Sequence, residues 1–447
     1  MFNKLYKHQE ETIEFLLANP KAFCTSTPGC GKTISTITSI LKRNGSAIII
    51  APKSILQAAW GNDIEKFYPN TPYGVLDRKQ LKKTDYLPNL LSKQFVILNF
   101  EAADLVLKHI QHVRHDTLVI DEFTAIKNRN TKRSKLIQKL STRFTHRILL
   151  SGTPITNSIT DIWHPTFILD GGERLGSNFY QFRNAVCQPV QKGHMGQFVE
   201  WRDLADAKDV VGSLLRDITI RHELEEVVDM PERVFNTMSI EMPSKLRKAY
   251  DTFKETAILE LENAEISAVN AAVLGNKLLQ IASGSVYDES GKAQLIDPGK
   301  YELITELVQE RPHSLVFYQW THQMEILSKI FEAEKIPFAV INGTVSQDQR
   351  SRIVSAYQRG EYQTLLIQPQ AAAHGLTLTR SSTTIWCSPT FNLEHFGQAN
   401  HRDYRIGQNK RTQVIMIEYK DTIEETVYKK LQQKQDALTN LLEILKS

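Results

Sequence analysis

The sequence predicts an α/β protein: two parallel-sheet units with a helical stretch between them. Three observations carry this. Strand-length apolar runs alternate with helical periodicity from Lys21 to Ser151, the alternation resumes near Lys300, and from about Asp161 to Ser283 the periodicity is mostly helical. Alternation of strand and helix calls for a mostly parallel sheet covered on both faces.

In the first unit the apolar runs Lys21–Thr25, Ala47–Ala51, Phe95–Asn99, Leu118–Asp121 and Ile148–Ser151 are predicted strands. A helix is predicted over Lys32–Arg43, with Asn44-Gly45 as its stop signal. A polar, Gly-containing stretch, Gln188–Gly196, interrupts the helical segment. The second unit has predicted strands at Ser314–Tyr318, Phe338–Ile341, Thr364–Ile367, Thr384–Cys387 and Gln413–Ile417. A closing helix is expected over Thr422–Leu445, with Ile423, Val427 and Leu431 on the face that packs back on the second sheet. The expected division is 1–165, a helical insertion and linker at 166–285, and 286–447.

A chain of 447 residues has room for roughly three units of ordinary size. With 41% hydrophobic and 23% charged residues, wholesale disorder and fibrous repeats are excluded. No apolar run approaches the roughly 18 residues that span a bilayer, so no membrane partner is expected. Met1–Gln9 is polar, so no secretory signal is expected. Cys24, Cys30, Cys187 and Cys387 form no CxxC pair, which argues against a zinc ribbon or a disulfide framework. A cytoplasmic protein with reduced thiols is expected. The net charge of +4 is too mild to prove nucleic-acid binding, so any electrostatic footprint must be local.

Ser26-Thr27-Pro28-Gly29-Cys30-Gly31-Lys32-Thr33 follows a predicted strand and opens a predicted helix, the context that a phosphate-binding loop requires. Its glycines let backbone N–H groups approach phosphate oxygens, and the helix N-terminus adds positive potential. Lys32 can reach the β- and γ-phosphates, and the Thr33 hydroxyl can hold Mg²⁺. Leu118-Val119-Ile120-Asp121-Glu122 is an apolar strand ending in two acids, where α/β proteins bind ligands. Asp121 is suited to Mg²⁺, and Glu122 to orienting or deprotonating an attacking water. Alone that pattern is weak; about 90 residues after a phosphate loop it is the expected partner. Lys127–Lys135 carries five basic residues in nine and no acid. It is either a track for DNA phosphates or a solvated helix face. No tandem aromatics suggest a base-stacking platform, which favours duplex DNA gripped by its phosphates without sequence specificity. His109, His112 and His115 have no HExxH companion and read as surface or packing residues.

These motifs together resemble those of Swi/Snf-type ATPases within helicase superfamily 2. Asp121–Asn128 is similar to the family's DEAH-x-I-K-N box, with Phe123-Thr124 in place of Ala-His. Leu150–Asn157 resembles L-T-G-T-P-I-x-N, and Gln398–Gln408 resembles Q-A-x-x-R-x-x-R-I-G-Q. Leu5–Gln9 resembles the adenine-reading Q motif, and Ile48–Lys53 with Trp60 resembles motif Ia. Ser314–Trp320, Ile341–Gly343 and Ala371–Thr379 resemble the second-domain motifs, with Gln368-Pro369-Gln370 a departure before the last.

The resemblance implies two RecA-like lobes and an ATP site formed by Gln9, Thr27, Pro28, Gly29, Cys30, Gly31, Lys32, Thr33 and Gln398. It implies catalysis by Lys32, Asp121 and Glu122, with Arg402 and Arg405 as arginine fingers and Mg²⁺ on Thr33 and Asp121. It implies DNA contacts by Lys53, Lys127, Asn128, Arg129, Lys132 and Arg133. The compact core also resembles HepA-related annealing helicases and small branch-migration helicases of tailed phages. That implies a translocase or helicase on duplex or branched DNA in recombination, repair or replication, in a bacterial host cytoplasm if the chain is of phage origin. The alternatives are the motor of a restriction or nuclease system and a non-catalytic DNA-binding scaffold.

Overall fold

The computed structural model describes residues 5–76, 81–83, 85–155, 158–192, 198–263, 268–287, 293–372 and 376–433. Those up to Asp229 form one compact unit and those from Met230 a second. The strands of the first are β1 (Lys21–Cys24), β2 (Ala47–Ile50), β3 (Tyr73–Val75), β4 (Phe95–Leu98), β5 (Thr117–Asp121), β6 (His146–Leu150), β7 (Cys187–Lys192), β8 (Phe198–Asp203) and β9 (Thr219–Ile220). Seven form a parallel sheet in the order β3-β4-β2-β5-β6-β1-β9; β7 and β8 pair as an antiparallel hairpin.

Every residue of β2, β4 and β5 is buried. Successive side chains enter opposite cores: Ile48, Ile50, Val96, Leu98, Leu118 and Ile120 lie in one cluster, Ile49, Phe95, Ile97 and Val119 in the other. A sheet covered on both faces needs apolar residues at every position, which is why these strands read as continuous runs. The helix Lys32–Lys42 stops as its sequence requires. Asn44 takes a left-handed φ of 54°, Gly45 N–H bonds to Ile40 O at 2.9 Å and Asn44 N–H to Leu41 O at 3.0 Å, so the last carbonyls are satisfied.

In the second unit the strands are β10 (Arg233–Ile240), β11 (Ser285–Tyr287), β12 (Ala293–Leu295), β13 (Ser314–Phe317), β14 (Phe338–Ile341), β15 (Thr364–Ile367), β16 (Thr383–Trp386) and β17 (Thr412–Tyr419). Six make a parallel sheet in the order β10-β17-β16-β13-β15-β14, and β11 and β12 form a hairpin. In the closing helix, residues 423–433 are helical, with Val427 and Leu431 buried in this unit's core and Ile423 packed against it; the remainder to Leu445 lies outside the described residues.

The expected insertion, 166–285, is not a body of its own. Its first part packs into the first unit and its remainder into the second. It also supplies strands: β9 extends the first sheet beside β1, and β10 pairs with β17 over eight residues. Two residues are too few to show a period, and β10 is a half-buried edge strand without a continuous apolar run.

One ion pair ties the second unit together. Lys300, fully buried, donates to Glu424 Oε1 and Oε2 at 2.7 and 2.8 Å and to Ala282 O at 3.0 Å. Glu424 Oε2 also accepts from Tyr419 N–H at 2.9 Å. Three helices and the end of β17 therefore meet on one buried charge pair. Removing one partner strands the other charge, a loss of about 3–5 kcal/mol. Lys300→Ala is expected to lower the unfolding free energy of the second unit by that amount, seen as a lower urea midpoint at unchanged m. A midpoint within the error of the parent would refute this.

Candidate active site

Where β1 ends, the chain turns into the loop that the sequence predicts to bind phosphate, the phosphate loop. Gly29 and Gly31 have φ of 101° and 78°, the left-handed region that favours glycine. A Cβ at Gly31 would meet Gln9 Nε2 at 2.3 Å, so the end of the Gln9 side chain would have to move away from the loop. Lys32 bends back, its ammonium donating to Ser26 O at 2.6 Å and Thr27 O at 3.3 Å. Thr33, half-buried, stands in the first turn of the helix that begins at Lys32. Gln9 is held by its own helix: its Oε1 accepts from Tyr6 N–H at 3.1 Å, the back-bond of an N-terminal cap, while its amide nitrogen points at Gly31. Gln9 and the Thr27–Thr33 loop are thus brought together.

Several residues of this loop's scaffold escaped the sequence reading. His8 Nε2 lies 3.0 Å from Cys30 O, and burial lowers its pKa, so a neutral ring donates to the loop. The segment after β9 fastens the other side. Thr25 N–H bonds to Ile220 O at 2.9 Å and Thr27 N–H to His222 O at 3.0 Å. His222 N–H bonds to Ser26 Oγ at 3.0 Å, and Leu224 N–H to Thr27 Oγ1 at 2.9 Å. Arg221, buried, donates to Thr25 O and pairs with Glu223 at 3.1 Å. No local pattern could reveal these contacts, which span nearly 200 residues. Cys30 packs within this clasp, 3.3 Å from Thr27 Oγ1, and burial raises its thiol pKa.

Strands β5, β6 and β1 are neighbours, so the loops at their C-terminal ends converge. Asp121 ends β5 and is buried. Trp60 Nε1–H donates to its Oδ2 at 2.8 Å and Glu122 N–H to its Oδ1 at 3.1 Å. Burial raises the Asp121 pKa, against the pull of the Trp60 bond and the Lys32 charge. Glu122 has a left-handed backbone, φ 56° and ψ 58°, uncommon for a residue with a side chain and a mark of local strain. Ser151, just past β6, donates to Glu122 Oε2 at 3.3 Å and accepts from Thr153 N–H at 3.2 Å. A Cβ at Gly152 would reach Pro28 Cδ at 3.0 Å, so this loop abuts the phosphate loop. Asn157, the end of that motif, lies outside the described residues.

The donor set fits Mg²⁺. No group of three or more His, Cys, Asp or Glu able to hold a metal occurs among the described residues. Mg²⁺ needs no such cage: one or two hard oxygens, here the Thr33 hydroxyl and Asp121 carboxylate, suffice beside substrate phosphates. His109 and His112 rings lie 6.4 Å apart, and buried His115 bonds to Lys93 O at 2.9 Å.

In the second unit, Gln398 is buried in the helix Leu393–Asn400; its Nε2 donates to Glu394 at 3.2 Å and its buried Oε1 has no hydrogen bond among the described residues. The two arginines differ. Arg402 is 3% exposed and donates to Gln398 O at 2.7 Å and Leu376 O at 3.4 Å. Arg405 is half-buried, donating to His401 O at 2.9 Å and Thr377 Oγ1 at 3.3 Å. Gln408 closes the motif by bonding Thr379, Ser381 and Asp403 carbonyls at 3.1, 2.7 and 3.0 Å.

The basic stretch is not a uniform stripe. Lys127 pairs with Asp161 at 3.1 Å, Arg133 with Glu101, and Arg129 lies over the Phe179 and Tyr180 rings. Asn128 Oδ1 accepts from Asn130 N–H at 3.0 Å. Lys132 and Lys135 are exposed on the helix Lys132–Ser141, whose other face buries Ser134, Ile137 and Leu140. Lys53 is exposed in a short turn, Lys53–Ile55, past β2.

A family model for the SNF2-related domain matches residues 8–284, more than half of the chain. The chain belongs to the SNF2-related family. The helicase conserved C-terminal domain matches residues 299–407, and the two together make this SNF2-type chain a DNA-dependent ATPase by class. A phage relative, putative protein p41 of Acyrthosiphon pisum secondary endosymbiont phage 1, is 26% identical over 98% of both chains. The putative ATP-dependent helicase/translocase YwqA of Bacillus subtilis is 27% identical over 91% of this chain but 45% of its own length. An uncharacterized ATP-dependent helicase of Mycoplasma genitalium is 24% identical over 98% of this chain and 42% of its own. This SNF2-type chain therefore spans less than half of those two relatives. Among solved structures, the Sulfolobus solfataricus SWI2/SNF2 ATPase core in complex with dsDNA aligns over 99% of this chain and 93% of its own, at 22% identity and a TM-score of 0.46. No described helix is long and apolar enough to cross a membrane.

In this SNF2-type site Lys32 is the cation held at the phosphate loop. Lys32→Ala is expected to abolish ATP turnover in a phosphate-release assay. Turnover near the parent rate would remove the loop from the reaction.

Proposed function

We propose that this SNF2-family chain is an ATP-driven translocase on duplex DNA that works at branched structures, such as forks or four-way junctions, in recombination, repair or replication. The observation that carries the catalytic part is the convergence of the phosphate loop, Asp121-Glu122 and Ser151 at three adjacent strand ends. The helicase and translocase names of its relatives support the motor reading. Similarity over its whole length to a phage protein supports a role in the cytoplasm of a bacterial host.

In this reading Lys32 leaves the carbonyls of Ser26 and Thr27 for the β- and γ-phosphates of ATP. Thr33 and Asp121 would hold Mg²⁺, which would neutralise charge at the phosphates. Glu122 orients the attacking water and takes its proton. Ser151 holds the Glu122 carboxylate, so a shift of the loop after β6 changes the aim of the base. Gln9 reads the adenine edge, its amide nitrogen donating to a ring acceptor. Arg405, the more exposed of the two arginines, acts as the finger at the γ-phosphate, while Arg402 braces Gln398 and the loop at Leu376. Lys53, Asn128, Lys132 and Lys135 contact DNA phosphates, as Arg129 can from beside its rings; Lys127 and Arg133 shape that surface through their own carboxylate partners.

The deciding experiment is ATP turnover with single-stranded, blunt duplex, forked and four-way DNA. Duplex and branched DNA are expected to raise the rate; a rate indifferent to every DNA would sink the translocase reading. Arg405→Ala is expected to slow turnover by on the order of 10³ at nearly unchanged ATP affinity, because a finger acts in the transition state. Equal losses in affinity and rate would argue for a ground-state role. Neutralising Lys132 and Lys135 is expected to flatten the log–log salt slope of duplex binding by roughly 0.9 per lost contact, on every sequence alike. An unchanged slope would make this helix face merely solvated.

A further inference from the structure

A stack of alternating aromatic and cationic side chains lies on the first unit, outside the nucleotide site. Asn178 caps the helix Phe179–Val186, its Oδ1 accepting from Tyr180 N–H at 2.9 Å and Gln181 N–H at 3.3 Å, which fixes Phe179 and Tyr180 in the first turn. Phe179 is backed by Trp163, edge to face at 5.4 Å, and Trp163 is itself held by a bond to Gly176 O at 3.1 Å. The Arg129 guanidinium lies 4.8 Å from the centres of both the Phe179 and Tyr180 rings. One turn further along the helix, Arg183 lies 5.3 Å from the Tyr180 ring and 3.7 Å from the Trp201 ring of β8. Arg129, Tyr180, Arg183 and Trp201 thus form one continuous series.

Core packing does not account for this series. Tyr180 is 54% exposed although it sits between two guanidinium groups. Neither Arg129 nor Arg183 has a carboxylate partner among the described residues, and the buried Nε of Arg183 has no hydrogen-bond acceptor among them. Each guanidinium lies against rings and keeps N–H donors that a phosphate can engage. An anionic chain carrying flat rings suits both the open Tyr180 face and the two guanidinium groups beside it. Bases stack on aromatic faces whatever their identity, guanidinium planes stack on bases, and both arginines can bind phosphate.

We propose that this series binds an unpaired stretch of DNA, with a nucleobase stacked on the open face of Tyr180 and the adjoining phosphates on Arg129 and Arg183. The occupant is single-stranded because bases within a duplex keep their faces covered by their neighbours. This rests on the reading of the chain as a DNA motor and deepens it, since a branch with a single-stranded arm would be recognised by that arm. Sequence reading expected no base-stacking platform. The series is assembled from Arg129, the helix at Phe179 and a hairpin strand, so no run of neighbouring aromatics announces it.

The test uses the whole chain without ATP, so it does not depend on whether DNA drives turnover. Binding is measured on a fork with a single-stranded arm and on a blunt duplex, at one salt concentration. Tyr180→Ala is expected to weaken fork binding roughly tenfold, within the range of one lost base stack, and to leave the blunt duplex unaffected. Tyr180→Phe should retain fork binding. Tyr180→Leu, which keeps apolar bulk without a π-face, should lose it while melting at the parent temperature. Undiminished fork binding in Tyr180→Leu, or equal loss on fork and blunt duplex, would overturn the proposal. DNA-stimulated turnover with unchanged fork binding would overturn this inference alone and leave the motor reading standing.

Discussion

The chemistry of the first unit hangs on parallel pairing at both edges of β1. This four-residue strand lies between β6 and β9, and the phosphate loop starts where it ends. Parallel strands send all their C-terminal ends to one side of a sheet, so the loop, the Asp121-Glu122 pair and Ser151 arrive at one place. A free-standing glycine-rich loop would sample many conformations. Here backbone bonds from Thr25 and Thr27 to the segment after β9 remove that freedom on one side, and His8 on the other. The loop is therefore ordered by the protein, and substrate binding need not bear that entropic cost.

The Gln398–Gln408 motif is a structural unit in its own right. Gln408 gathers three carbonyls and Arg402 two, and both tie the loop at 376–381 to the residues after the helix Leu393–Asn400. Asp403, buried against Thr384, has a pKa raised by desolvation to about 6. So many buried polar groups in one loop are tolerable because most are paired. Arg405 stands apart within this frame, half-buried and held by a backbone carbonyl and one hydroxyl. A rigid frame around a less buried cation is the arrangement a transition-state contact needs.

The basic stretch after the two acids shows why charge counts are poor guides. Five cations in nine residues look like one electrostatic surface. In the fold, Lys127 and Arg133 face carboxylates and Arg129 faces aromatic rings, while Lys132 and Lys135 remain exposed. Sequence proximity puts charges on one segment; side-chain partners decide which of them are already engaged, as exposed Arg133 is by Glu101.

What the chain determined by itself is local. The shape of the Ser26–Thr33 loop was legible because a backbone cradle must be contiguous, with glycines where φ is positive and a lysine at the helix start. The strands β2, β4 and β5 were legible because burial on both faces demands unbroken apolar runs. The Asn44 stop was legible because the left-handed cap is a property of one residue. Tertiary structure decided the rest. Two-residue β9 and the half-buried edge strand β10 carry too little periodicity to be seen, so what reads as a helical insertion is divided between two sheets. Arg221 and His222 reach the phosphate loop across nearly 200 residues, and Arg129, Tyr180 and Trp201 meet from three separate segments. Such contacts leave no trace in local spacing, because they are set by how strands and helices pack and by no preference of the residues themselves.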